Sequence, residues 1–326
     1  MTSVFPTDFS IRPPVEADLN NIAHLFVSRE TFFYSGTELN VASEAQWLQS
    51  SWQFVGADPA HDACAIFAPD GQGVGYVHVW RPEESSSEFY ASPRVSPQYL
   101  HLGIGTYLLQ WAEQRMQQIL PTLPSQQQVK LHSWIAGVDT AAEPILEHAG
   151  FRAVRYFWRM DIEMAQAPQP PVLPEGIHIR AYNPDQDTHR TYEALEEAFQ
   201  DLWGYAPQSF EKWSHWGIDL PSFDPTLTFL AIDGQQIAGV LMSRIDKGEQ
   251  RTSGWVDDLG IRRPWRKQGL GLALLQHAFG EFYRRGIPRC GLSVDGQNPT
   301  GATRLYTRAG MHRAKKFDVL YEKALL

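Results

Sequence analysis

The chain has 326 residues, 43% hydrophobic and 20% charged, with a formal net charge of −9. That balance excludes a disordered chain, and the acidity argues against nucleic acid or an anionic membrane as the main partner. Cys64 and Cys290 are too few for a disulfide framework or a Cys-rich zinc site and suit a reducing cytoplasmic setting. No apolar run approaches the ~18 residues of a membrane span, and residues 1–8 lack the basic and apolar parts of a secretory signal. At roughly 150 residues per domain the length predicts about two domains.

In chain order, Ile11-Arg12-Pro13 followed by Asp18 opens the first half. The strand-like Val74-Gly75-Tyr76-Val77, the turn Gly103-Ile104-Gly105-Thr106 and Ala149-Gly150-Phe151 come after it. The proline-rich stretch 165–176 reads as an extended connection, because proline neither continues a helix nor donates to a ladder. Beyond it the same series returns: Ile179-Arg180-Ala181 with Asp185 and Asp187, Ala238-Gly239-Val240-Leu241, Gly269-Leu270-Gly271-Leu272, and Ala309-Gly310-Met311. Four matches in one order mean a duplicated domain rather than a solenoid.

The second half predicts helices over 190–201 and 208–216, then a hairpin of 226–232 with 236–245 and a third strand over 253–261. A helix from Gly271, stopped at Gly286-Ile287-Pro288, precedes a strand over 290–295. A helix over 299–309 and a strand over 316–324, expected to close the same sheet, complete a mixed α/β pattern.

The segment Asp257-Asp258-Leu259-Gly260-Ile261 runs into the basic loop Arg262 to Gly271 and then a helix. Glycines there let helix-terminal N–H groups converge on an anion, and the helix dipole favours negative charge at that end. A P-loop would need Lys-Ser/Thr after the second glycine, where Leu272-Ala273 stand. A dinucleotide fingerprint would need a small residue where Leu274 stands. The remaining readings are a pyrophosphate cradle and an ordinary strand–turn–helix with a solvated charge run.

With Arg266-x-x-Gly269-x-Gly271, then Asn298, Ala302, Leu305-Tyr306 and Gly310-Met311 behind it, the chain resembles the GNAT acyltransferase superfamily. The resemblance covers the second half and, more faintly, the first. Its tandem layout resembles that of the mycothiol synthases. It implies an α/β (α+β) mixed sheet in two tandem acyl-CoA N-acyltransferase-like domains: residues 1–165 degenerate, 166–175 linker, 176–326 catalytic. It also implies acetyl-CoA as co-substrate, with its pantetheine arm on the main chain of Leu259 and Ile261. Arg266, Lys267, Gln268, Gly269, Leu270, Gly271 and Leu272 would hold the pyrophosphate, largely through amides, with Asn298 either on the cofactor or capping a helix. An attacking amine must lose a proton, so Asp257 or Asp258 is the candidate base. Strict alternation turns them to opposite faces, Asp257 sharing that of Leu259 and Ile261. Tyr306 is the family-matched proton donor or, alternatively, a core tyrosine.

In the first half, Leu100 and Leu146 replace Arg266 and Tyr306, and Val138-Asp139 lie near the place of Asn298, so its cofactor site is expected to be weak or empty. Asp201, Trp203 and Tyr205 form either an aromatic, slightly acidic acceptor wall or packing under a loop. The eleven histidines show no metal-ligand spacing, so no metal is expected, and Cys290 reads as a buried strand residue. The sequence thus predicts a cytoplasmic CoA-dependent N-acyltransferase for a small amine. A non-catalytic acyl-CoA-binding protein and a peptide N-acetyltransferase are the alternatives.

Overall fold

The structure, a computed structural model, describes residues 8–34, 39–53, 58–83, 86–123, 128–247, 252–298 and 300–325. Most of the N-terminal octet judged above, and Pro299 at the start of an expected helix, lie outside them. Contacts divide the chain into two compact units, residues 1–156 with 316–326, and residues 157–315.

The first unit begins with β1 (Ser10–Arg12), α1 (Leu19–Tyr34), α2 (Val41–Gln53) and the short α3 (Pro59–Asp62). The strands β2 (Ala63–Phe67), β3 (Gly73–Trp80), β4 (Glu88–Ala91) and β5 (Arg94–Val95) precede α4 (Ile104–Ile119), β6 (Lys130–Ala136) and α5 (Ala142–His148). After β7 (Arg152–Glu163) come β8 (Ile177–Ala181), α6 (Pro184–Phe199), α7 (Phe210–Trp216), β9 (Thr228–Asp233), β10 (Gln236–Lys247) and β11 (Thr252–Ile261). The chain ends with α8 (Leu270–Arg284), β12 (Arg289–Asp295), α9 (Ala302–Arg308) and β13 (His312–Ala324).

The sheet of the first unit runs β1-β2-β3-β4-β6, with β5 also on β3, and residues 318–324 of β13 complete it antiparallel to β6. That of the second runs β8-β9-β10-β11-β12, completed by residues 157–163 of β7 antiparallel to β12. Each sheet therefore takes its last strand from the half of the sequence that otherwise builds the other unit. The strand expected over 316–324 exists, and its residues 318–324 pair antiparallel with β6. The proline-rich stretch carries neither helix nor strand and belongs to the second unit.

Alternation along the strands explains the layers. In the second unit Phe229, Ala231, Ala238 and Leu241 pack with Leu274, Leu275, Phe279 and Phe282 of α8. Leu230, Ile232, Val240 and Met242 pack with Leu195 of α6 and Trp213 of α7 on the other face. Phe279 and Phe282 are almost fully buried, and each such side chain contributes up to ~3 kcal/mol of transfer free energy. The first unit repeats the plan, with Cys64 and Ile66 toward α4 and Ala63, Ala65 and Phe67 toward α1 and α2.

The duplication extends to individual bonds. Arg12 grips the buried Asp18 with both guanidinium nitrogens, at 2.6 and 2.8 Å, and Arg180 grips Asp187 in the same way. Each aspartate also accepts a nearby main-chain N–H, from Val15 and from Asn183. Helix α6 starts earlier than position 190 because Asn183 caps it and Pro184 fills its first turn.

Candidate active site

Two features of the second unit create an opening beside a helix end. Strands β11 and β12 pair in parallel only at Gly254 with Cys290 and Trp255 with Gly291, although both run on for several residues. Past that point they part. The Arg262 N–H turns back to the Ala238 carbonyl on β10, so the alternate main-chain groups of Leu259 and Ile261 face the gap. At its mouth, the first main-chain bond of α8 runs from the Ala273 N–H to the Gly269 carbonyl. The amides at 268–272 have no helical carbonyl to bond and point outward at the positive end of the helix dipole. Gly269 holds φ +89°, and Lys267 is one of two non-glycine residues with positive φ among the described residues.

The cations of the loop do different jobs. Arg266 donates Nε to the Ile261 carbonyl at 3.0 Å, Nη2 to the Ala198 carbonyl at 2.9 Å and Nη1 to Asp201 at 2.6 Å. It is a strut tying the loop to the end of α6. Arg263 also bonds Asp201, Arg262 bonds Glu197 and the Ile237 carbonyl, and Gln268 braces the Pro264 carbonyl. Lys267 is exposed, with no ion-pair partner among the described residues. The neighbouring arginines hold the Asp201 carboxyl well below the usual range.

The two aspartates are separated by a bulge. Met242 pairs with Asp258 but Ser243 with Val256, which leaves Asp257 as the extra residue of β11. Val256, Leu259 and Ile261 all pack toward α8. Asp258 shares the face of its partner Met242, which belongs to the α6–α7 side. Asp257 is therefore not on the face of Leu259 and Ile261, as strict alternation predicted, and both aspartates lie on the α6 side. Their surroundings differ. Asp257 is ion-paired with Arg244, which also holds Asp246 at 2.8 Å. Asp258 makes no ion pair among the described residues and is recessed, and burial lifts its pKa to about 6 against an opposing pull from the Arg244 charge. Tyr306 is buried, and its hydroxyl is pushed up to about 12, first by burial and second by the charge of Asp258. The Asp258 charge thus reaches the Tyr306 hydroxyl, which packs in the α8-side core.

Arg244 was missed from the sequence, although a basic residue at the end of an otherwise apolar strand was the available signal. Asn298 Oδ1 accepts the Thr300 N–H and hydroxyl, a turn-forming role that leaves its amide nitrogen over. The residues of the expected acceptor wall are engaged separately. Asp201 is spent on Arg263 and Arg266, Tyr205 donates to Glu196 at 2.7 Å, and Trp203 is 42% exposed. Cys290 is buried, and burial raises its thiol, so it is no ready nucleophile. Among the described residues no group of three or more His, Cys, Asp or Glu is placed to hold a metal, and no helix is long and apolar enough to cross a membrane.

A strand gap beside open helix-start amides can take an extended amide-bearing arm and an anion at its end. Residues 188–311 match the acetyltransferase (GNAT) family. The chain is 31% identical over 267 residues to the mycothiol acetyltransferase of Salinispora arenicola, covering 78% of this chain and 79% of that one. It is 29% identical over 262 residues to that of Cellulomonas flavigena, covering 76% and 70%. A GCN5-related N-acetyltransferase from Sphaerobacter thermophilus superposes with a TM-score of 0.77 at 35% identity over 98% of this chain and 97% of that one. A tandem GNAT protein from the clavulanic acid biosynthesis pathway gives 0.71 at 13% identity, covering 97% and 98%, a likeness of fold. The chain belongs to the GNAT acetyltransferase family, in tandem form, and such enzymes use acetyl-CoA as co-substrate.

Proposed function

We propose that residues in the second unit transfer acetyl from acetyl-CoA to the primary amine of a small cytosolic molecule, with Asp258 as general base and Tyr306 as general acid. The observation that carries this reading is placement: Asp258 sits recessed on β11 past the point where it parts from β12, and its charge reaches the buried Tyr306 hydroxyl. Acetyl-CoA supplies an activated thioester carbonyl. The amides at 268–272 fit its pyrophosphate, and the main chain of Leu259 and Ile261 fits its amide-bearing arm. Asp258, ionised above its pKa, takes the proton that an ammonium acceptor must lose to attack. Tyr306 stays protonated at working pH and donates to the departing sulfur. Asp257 keeps Arg244 in place. Several relatives are named for a small molecule, mycothiol, which favours a small acceptor over a peptide. The two buried, unpaired cysteines fit a reducing compartment.

The test is thiol release from acetyl-CoA across small amines, polyamines, aminoglycosides and peptides. Turnover with a small amine that collapses in Asp258→Asn supports the reading. Turnover confined to peptides, or unchanged in that variant, refutes it.

A further inference from the structure

The first unit keeps the turn but not the opening. Gly103 has φ +82° and His101 +65°, as Gly269 and Lys267 do, and the Tyr107 N–H bonds the Gly103 carbonyl as Ala273 does Gly269. The Ser96 N–H bonds the Val74 carbonyl at 2.8 Å, as Arg262 does Ala238, which makes Val95 the counterpart of Ile261. The Asp139 N–H bonds the Ala136 carbonyl, as Asn298 does Asp295, so Asp139 stands in the place of Asn298.

At those matched positions the contents diverge. Leu100, in the place of Arg266, cannot brace the strand-end carbonyl. Instead Arg29 reaches in from α1, donating Nη1 to the Val95 carbonyl and Nη2 to Asp139 Oδ2, both at 2.6 Å. One guanidinium thus joins the end of β5 to the turn after β6. Arg29 keeps 7% side-chain exposure and Asp139 1%. Asp139 is pinned in turn, its other oxygen accepting the Ala141 and Ala142 amides. Between the same strands Ser92 Oγ accepts the Trp134 N–H at 2.9 Å. Counted from the gripped aspartates Asp18 and Asp187, Arg29 falls where the second unit has Ala198. Counted from the matched Ser96 and Arg262, Arg94 falls where Gly260 stands, so two small residues are replaced by two arginines.

We propose that the Arg29–Asp139 pair closes the first unit's groove against the pantetheine arm, so that each chain binds one coenzyme, in the second unit. This rests on the reading of the second unit as the acyl-CoA site. Displacing Arg29 would strand the Asp139 charge in a buried place, which makes the closure stable.

Calorimetry of the full-length chain with coenzyme A tests it. One site per chain is expected. Two sites overturn the closure, while none overturns the reading of the second unit. The double variant Arg29→Ala with Asp139→Asn removes both charges and keeps an oxygen for the α5 amides. It is expected to gain a second, weaker site and to keep acetyl transfer within about twofold. A folded variant still at one site refutes the bridge as the closure. Hydrogen exchange of the unaltered protein gives an independent readout. Coenzyme A should slow the amides at 268–272 and leave 102–106 unchanged, and protection at 102–106 overturns the proposal.

Discussion

Asp258→Asn separates a catalytic from a packing role for this residue, because the two predict opposite signs. Burial raises the carboxyl from its ordinary 3.8 to about 6. Between those values the folded chain binds more protons than the unfolded one, so stability falls as pH rises from about 4 to 6 and stays reduced above. A shift of about two units amounts to ~3 kcal/mol of destabilisation at pH 7, at 1.36 kcal/mol per unit. Asparagine carries no such cost. The variant should therefore melt several degrees above the parent at pH 7 and close to it at pH 4. Its kcat/KM should fall about 10²–10⁴-fold, the usual worth of a general base. The parent should lose activity below about pH 6 as Asp258 protonates. Melting curves at pH 4, 5.5 and 7, with initial rates over pH 5–9, read both quantities. A variant less stable at pH 7 with its activity intact would refute the assignment: the carboxylate would then hold the fold together.

Tyr306→Phe should lower kcat about 100-fold with little change in the KM for acetyl-CoA. A hydroxyl near 12 should give the parent no alkaline fall from this group below about pH 10, which the rate profile checks. Gly269→Ala has open space for its methyl group but must hold φ +89°. It should cost about 1–2 kcal/mol by thermal melting and raise the KM for acetyl-CoA as the loop relaxes. Asp187→Asn breaks a two-pronged grip on a fully buried carboxylate whose pKa Arg180 lowers, and should cost about 1–3 kcal/mol at pH 7, because Arg180 is 35% exposed and can be hydrated. With a folded pKa below the unfolded one, that contribution is present above about pH 4 and lost as pH falls, so chemical denaturation at pH 7 and pH 3 should show the difference shrinking.

In the second half the order of strands and helices and the glycine turn were legible because local rules carry them. Periodicity marks the apolar faces, and glycine at positive φ marks the helix starts. What escaped was non-local. Nothing in residues 316–324 distinguishes a strand that pairs with residues 289–295 from one that pairs with 130–136, since either partner satisfies the same alternation. The duplicated halves make the two choices nearly equivalent in pattern, and only register and packing decide between them.

The bulge shows how small a non-local feature can redirect chemistry. Counting by twos put Asp257 beside Leu259 and Asp258 opposite, but one extra residue in β11 keeps both aspartates on the α6 face. Had the ladder been regular, Asp257 would share the face of the α8 core. The bulge instead hands it to Arg244 and leaves the recessed neighbour without an ionic partner among the described residues. Asp257→Asn should therefore lower kcat/KM by well under tenfold, through a loosened Arg244, while Asp258→Asn abolishes the acidic limb of the profile. A larger loss in Asp257→Asn than in Asp258→Asn would mean that the free carboxylate is not the working one, and that Arg244 releases its partner when the acceptor binds.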